Sequence, residues 1–246
     1  MSAEGRLAAA RVLAVLDLTS LGEDDTTATI ERLCDAATGG AHPAAVCVYP
    51  EHVETVRRML DTNGAAEVAV ATVVNFPDGG NDLGRALRET RRALAAGAAE
   101  IDIVFPWRAY LDGDRESGPL MLQGCKDICG ARPLKAILET GQLGDPLLIR
   151  ELSLTALGAG ADFIKTSTGK TAVGATLAAA RVMLQCLRER NGRGGFKAAG
   201  GIRSVAEAGR YLALADEIMG PRWATPAHFR LGASALITEI RSMSGP

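Results

Sequence analysis

The segment DFIKTSTG, Asp162–Gly169, is a short apolar run that ends in turn chemistry, and it belongs to a series. Upstream lies PLKAILETG, ending at Gly141, and downstream GFKAAGG, ending at Gly201. Further out come EIDIVFP to Pro106, EVAVATVVNFP to Pro77, AAVCVYP to Pro50, VLAVLDLT to Thr19 and HFRLGAS to Ser234. Successive ends fall 27 to 35 residues apart, the length of one strand plus one helix. The intervening segments carry helical signals. Asn81–Gly97 places Leu83, Leu87, Arg91 and Leu94 at helical spacing and stops on glycine. Asp145–Gly158 opens with a capping aspartate followed by proline, and Ala175–Glu189 has Arg and Glu on its outer face. Eight strands alternating with helices predict an α/β fold, a single (β/α)8 TIM barrel rather than an open doubly wound sheet. The strands are apolar on both faces, as parallel strands covered by helices must be. An extra N-terminal helix, Glu4–Leu13, is expected to cover the barrel bottom. No linker or composition shift divides residues 1–246, so one barrel domain is expected.

A length of 246 residues suits one such barrel of about 250. Hydrophobic residues at 47% and charged residues at 23% exclude disorder for the bulk of the chain. Lys plus Arg number 27 against 29 acids, a net charge of −2, so there is no basic field for a nucleic acid. An anionic ligand must then be held by a local site. No window approaches ~18 uninterrupted apolar residues, so no membrane span is expected. Arg11 and Asp17 frame the apolar N-terminal stretch, which runs straight into a strand and does not read as a signal peptide. Five cysteines form no disulfide framework, and Cys125 and Cys129 share only a helix face. His42, His52 and His228 lack ligand spacing. The expectation is a reducing cytoplasm, no metal and no cofactor.

Strand side chains alternate, so every second residue points into a barrel. The first strand offers Asp17, the second Cys47, the fourth Asp102, and the fifth, sixth and seventh Lys135, Lys165 and Lys197. Each lysine alone reads equally well as an outward side chain or a structural ion pair. Three on consecutive strands are another matter, because lysine is seldom buried without a reason and the outward positions are covered by helices. Asp17 and Asp102 can balance them. A free lysine has a pKa near ~10.4, and a neighbouring ammonium and desolvation both favour the neutral amine. The product is a Schiff-base nucleophile. Glycine-bearing turns follow the last three strands: Ser167-Thr168-Gly169-Lys170, Ala199-Gly200-Gly201-Ile202-Arg203 and Gly232-Ala233-Ser234. Such turns let backbone N–H groups and helix starts approach an anion, at the usual phosphate position of barrels. Lys170, Arg203 and Ser234 add side-chain donors.

These motifs, LDLTSL (Leu16–Leu21), CVYP (Cys47–Pro50), TVVNFPDG (Thr72–Gly79), EIDIVFP, LKAILETG (Leu134–Gly141), ADFIKTSTGK (Ala161–Lys170), GFKAAGGIR (Gly195–Arg203) and FRLGAS (Phe229–Ser234), resemble deoxyribose-phosphate aldolase on nearly every strand. The resemblance implies a class I aldolase, EC 4.1.2.4, that reversibly cleaves 2-deoxy-D-ribose 5-phosphate to acetaldehyde and D-glyceraldehyde 3-phosphate in deoxyribonucleoside catabolism. It implies Lys165 as the Schiff-base lysine, Lys197 as the neighbour that lowers its pKa, and Asp102 as the carboxylate of a proton relay acting through water. Asp17 and Lys135 would form an ion pair at the site floor. Thr19, Thr168, Gly169, Lys170, Gly200, Gly201, Arg203, Gly232 and Ser234 would bind substrate. Cys47 reads either as a site-lining thiol open to aldehydes or as a small buried hydrophobe. The implied partners are the phosphosugar and aldehyde substrates, with no nucleic acid, no membrane and a homodimer as the assembly.

The sequence departs from the family pattern in three places. Ala198-Ala199 replace the usual Pro-Ala or Ala-Ser before the double glycine, and Ala235 replaces the second serine of Gly-Ala-Ser-Ser. The latter removes one phosphate hydroxyl and predicts weaker phosphate affinity. Some members carry a C-terminal tyrosine that assists proton transfer, whereas here the residues are Ser244-Gly245-Pro246. The residues alone leave three other readings open: a Schiff-base aldolase for another phosphosugar, a phosphate-binding isomerase with a carboxylate base, and a non-catalytic binding barrel.

Overall fold

The computed structural model describes residues 3–244, so Gly245 and Pro246 of the C-terminal reading lie outside the described residues. The chain runs α1 (Ala3–Ala14), β1 (Leu16–Thr19), α2 (Thr27–Thr38), β2 (Ala45–Val48), α3 (Val53–Thr62), β3 (Ala69–Val74) and α4 (Leu83–Ala95). It continues with β4 (Glu100–Val104), α5 (Trp107–Leu111), α6 (Ser117–Cys129), β5 (Leu134–Ile137), α7 (Thr140–Leu143) and α8 (Pro146–Gly158). The last elements are β6 (Phe163–Lys165), α9 (Leu177–Glu189), β7 (Gly195–Ala199), α10 (Val205–Met219), β8 (Phe229–Ala233) and α11 (Leu236–Ser244). The strands pair in parallel and in sequence order, and β8 returns to pair with β1. This is the closed (β/α)8 barrel that the spacing of the runs predicts.

Local chemistry sets the helix boundaries. The Asp82 carboxylate accepts from Arg85 N ahead of α4, Asp145 accepts from Leu147 N with Pro146 as the first residue of α8, and Thr176 accepts from Ala179 N ahead of α9. Each satisfies an N–H that the first turn leaves orphaned. Ser204 caps α10 through Glu207 N, and the Glu207 carboxylate accepts from the N–H of Arg203, just before the cap. Cys125 and Cys129 both lie buried on α6.

Alternation along the strands divides the interior in two. Leu16, Leu18, Val46, Val48, Ile101, Ile103, Phe196 and Leu231 point outward and are buried in the large core shared with the helices. Ala45, Cys47, Ala71 and Val73 form a separate cluster inside the barrel. Their small volumes on β2 and β3 leave room for the long side chains that β5 to β8 send inward. The helix expected across the barrel bottom, α1, packs instead against α11 and α10. Its buried stripe, Ala9, Val12 and Leu13, is fixed there by the Arg11 guanidinium, which forks onto Asp216 of α10 at 2.9 Å on both oxygens.

Candidate active site

Register brings the inward ionisable residues together: Asp102 lies beside Lys135, and Lys165 beside Lys197. Gly232 on the neighbouring β8 makes space for Lys197, because a Cβ there would stand 3.1 Å from the lysine Cε. Asp102 is fully buried and accepts at one oxygen from Lys135 Nζ (2.8 Å) and at the other from both Lys165 Nζ and Lys197 Nζ (2.8 Å each). Lys197 Nζ also donates to Asp17 Oδ2 at 2.5 Å. The expected Asp17–Lys135 pair is the weakest contact of the group, at 3.9 Å. Each has nearer partners, Lys135 on Glu100 at 2.6 Å and Asp17 on Arg230 at 2.7 Å.

Glu100 and Arg230 complete this network and were not singled out from the sequence. Arg230 Nη2 donates to Glu100 at 2.6 Å, and its Nε donates to Pro226 O at 2.6 Å. The signal was present, since Glu100 stands two residues before Asp102 and Arg230 two before Gly232, both at inward positions. The network therefore holds four cations, Lys135, Lys165, Lys197 and Arg230, against three carboxylates, Asp17, Glu100 and Asp102. Buried charge without a counter-charge is costly, and a lysine can escape it by losing its proton. Lys197 sits between two carboxylates, and its pKa is raised despite the opposing effect of burial. The pKa of Lys165, which has only a share of one carboxylate, is lowered by desolvation and by the Lys197 charge. Lys135 and Arg230 are likewise held as cations. Asp102 lies well below the usual carboxylate range because the three lysine charges outweigh its burial.

Lys165 is also the member of the network that reaches the surface of a cavity of about 500 Å3 at the carboxyl ends of the strands. Thr19, Thr168, Gly169, Lys170, Gly200, Gly201, Arg203, Gly232 and Ser234 line it with Lys165. Asp17, Asp102, Lys135 and Lys197 lie beneath it, fully buried. Cys47 is fully buried as well, packed with Ala45, Ala71 and Val73, and burial pushes its thiol pKa up. It does not face the cavity. Gly169, Gly200 and Gly201 all adopt positive φ, at 80°, 91° and 83°, a conformation that glycine takes at no steric cost. The loops after β6 and β7 meet backbone to backbone: Ala175 N donates to Gly200 O at 3.0 Å, and a Cβ on Gly174 would stand 2.4 Å from that oxygen.

Glu139 is a third residue missed in the sequence. It is buried in the left-handed region at φ 55°, and accepts from Thr168 Oγ1 at 2.6 Å and from Thr171 Oγ1 at 3.2 Å. It fixes the Thr168–Lys170 turn, where Lys170 N donates to Thr168 Oγ1 at 3.0 Å. Lys170 Nζ reaches across the mouth to Leu21 O at 2.6 Å. No periodic pattern marks Glu139, because its contacts depend on a loop that follows the next strand. Ser167 Oγ, buried behind the same turn, has no hydrogen-bond partner among the described residues.

A closed parallel barrel with an amine opening into a cavity at the carboxyl ends of its strands has the architecture of a barrel enzyme. Residues 11–219 match the model of the DeoC/LacD family aldolases, and the chain belongs to that family. It is similar over 99% of its length, and 98% of the other chain, to the apo form of a candidate deoxyribose-phosphate aldolase from Toxoplasma gondii, at 26% identity and a TM-score of 0.92. A protein of the same description from Coccidioides immitis gives 27% identity and a TM-score of 0.82, with 94% of this chain and 86% of that one covered. The deoxyribose phosphate aldolase of Aeropyrum pernix, a tetramer, gives 25% and 0.75, with 99% and 100% covered. Among the described residues no helix is long and apolar enough to cross a membrane.

Proposed function

We propose that the protein is a class I aldolase that reversibly cleaves 2-deoxy-D-ribose 5-phosphate to acetaldehyde and D-glyceraldehyde 3-phosphate. The observation that carries this reading is the unequal treatment of the amines. One network holds three cations firmly and leaves Lys165, the one at the cavity, disposed to lose its proton. The neutral amine attacks the C1 aldehyde, the resulting carbinolamine takes up one proton through the Asp102 relay, and water leaves, giving a protonated imine. The C3 hydroxyl gives up its proton, the C2–C3 bond breaks, and its electron pair moves toward the imine nitrogen as an enamine. Carbons 3 to 5 depart as glyceraldehyde 3-phosphate. C2 then takes a proton, and water hydrolyses the two-carbon imine to acetaldehyde and free Lys165.

The other residues divide the work. Asp102 shares one oxygen between Lys165 and Lys197, a short path for protons to and from the reacting nitrogen. Because it lies below the cavity wall, it reaches the C3 hydroxyl only through water. Its low basicity suits a group that passes a proton and does not retain it. Lys197 is a positioning residue that keeps its charge beside Lys165. The phosphate is placed on the loops of Gly169, Gly200, Gly201 and Gly232, with Ser234, Lys170 and Arg203 as donors. An isomerase with a carboxylate base fits less well. Asp25 is the carboxylate on the cavity wall among the described residues, and it is engaged by Ser20 Oγ and Gly22 N at 3.0 Å each. The substrate and the relatives' names support a role in deoxyribonucleoside breakdown.

The test is borohydride reduction in the presence of 2-deoxyribose 5-phosphate, followed by peptide mass mapping. A reduced adduct on Lys165, absent from Lys165→Ala, is expected. An adduct on Lys197 or Lys135 would overturn the assignment of the nucleophile, and no adduct with no cleavage would overturn the reaction.

A further inference from the structure

The barrel has a second concavity on the face opposite the Lys165 cavity. It measures about 440 Å3 and lies where β5 to β8 begin, bounded by Pro133, Phe163, Gly194 and Pro226. That size suits a small molecule. The chain carries a net charge of −2, yet the wall holds Arg190, Arg193 and Arg230 with His228, against the carboxylate of Asp162. Asp162 is already committed, accepting from Lys126 Nζ at 2.6 Å and from Leu134 N at 2.8 Å. Arg230 is held by Asp17 and Glu100. Arg190 and Arg193 have no such partner among the described residues: neither guanidinium makes an ion pair or a side-chain hydrogen bond. Arg190 Nε is closed off from solvent and still unpaired. A desolvated donor without an acceptor is costly, and in native structures such a group calls for a partner.

The geometry points to a second binding site, on the amino-terminal face of the barrel, for a compact anion of at least two negative charges, either a phosphate ester or a polycarboxylate. Two free guanidiniums at the edge of a concave site offer the forked donors that both groups accept bidentately. The site is independent of the reaction proposed for Lys165, because occupancy is measured without turnover.

The experiment is calorimetric titration of the full chain with inorganic pyrophosphate, and in parallel with tricarballylate, which separates the two ligand sources. The expected result is binding of at least one of them that weakens about tenfold or more in Arg190→Ala/Arg193→Ala, through loss of charge-assisted hydrogen bonds. The melting temperature should hold, because neither side chain is paired. Arg203→Ala, which alters the opposite mouth, should leave this binding step in place. The single substitution Arg193→Glu, at an exposed position, gives the same readout should the double variant fold poorly. The proposal is overturned if neither probe binds, if the wild-type isotherm survives both arginine variants, or if Arg203→Ala abolishes all binding.

Discussion

Substituting Lys197 by methionine, similar in length and uncharged, tests whether charge counting governs the reactive amine. Lys197 and Lys165 each donate to the same oxygen of Asp102 at 2.8 Å, so their nitrogens stand roughly 5 Å apart, and at an effective dielectric of 20 their repulsion is on the order of 3 kcal/mol. At 1.4 kcal/mol per decade, removing it lowers the neutral fraction of Lys165 by about a hundredfold near neutral pH. The count gives the same direction. Without Lys197, three cations face three carboxylates, and Lys165 is needed as an ammonium. The assay is the rate at which acetaldehyde and cyanoborohydride label Lys165, followed by peptide mass between about pH 6 and 9. In Lys197→Met the rise in labelling should move to higher pH, and the neutral-pH rate should fall by about two orders of magnitude. Circular dichroism provides the control for folding. A folded Lys197→Met protein with the wild-type profile would refute the reasoning and leave desolvation alone as the cause.

Three further outcomes follow from the same geometry. Arg230→Met strips the guanidinium from buried Asp17 and Glu100, and should destabilise the fold by about 3–5 kcal/mol; at roughly 2–4 °C per kcal/mol the melting temperature falls by about 6–20 °C. Adding Glu100→Gln should recover part of that loss, and a strictly additive double variant would contradict the coupling. Asp17 and Asp102 have folded pKa values below their unfolded ones, so the unfolded chain binds more protons in acid and stability rises with pH across that range. Their contribution should be complete at neutral pH and decline as pH falls below about 5; urea midpoints that stay flat down to pH 3 would exclude it. Gly174→Ala would place a methyl 2.4 Å from Gly200 O, forcing the loops after β6 and β7 apart at about 1–3 kcal/mol. KM for the phosphorylated sugar should rise more than kcat falls, and an unchanged KM would remove these loops from the phosphate site.

The barrel itself was legible because its signal is periodic: apolar runs, turn residues and caps recur at one spacing, and each reports a local preference. The burial of Lys135, Lys165 and Lys197 was legible for a related reason, since lysine in an apolar strand covered by helices has one direction left to point. Their pairing was not. The residues left Asp17 open to any of the lysines and the resemblance implied Lys135, whereas the barrel geometry delivers it to Lys197 and Arg230. Glu100 opens its strand, and a charge at the end of an apolar run carries no sign of whether it points in or out. Glu139 and Gly174 depend on contacts between loops that follow different strands, and no short window of sequence contains both halves of such a contact. Cys47 was placed on the correct strand and pointing into the barrel, but the depth at which the cavity stops depends on side chains from other strands.

The interior network is also divided along the chain. Its three carboxylates come from β1 and β4, and its four cations from β5 to β8. During synthesis the first four strands emerge with acidic groups destined for a dry interior and nothing to neutralise them. The first half alone would have to bury these carboxylates without counter-charge, a costly step, and the second half supplies the cations that neutralise them. Pairing either half with a copy of itself would set like charge against like across the axis, which opposes such assembly. The two halves of this barrel are complementary parts, and the interior charge that prepares one amine also enforces their union.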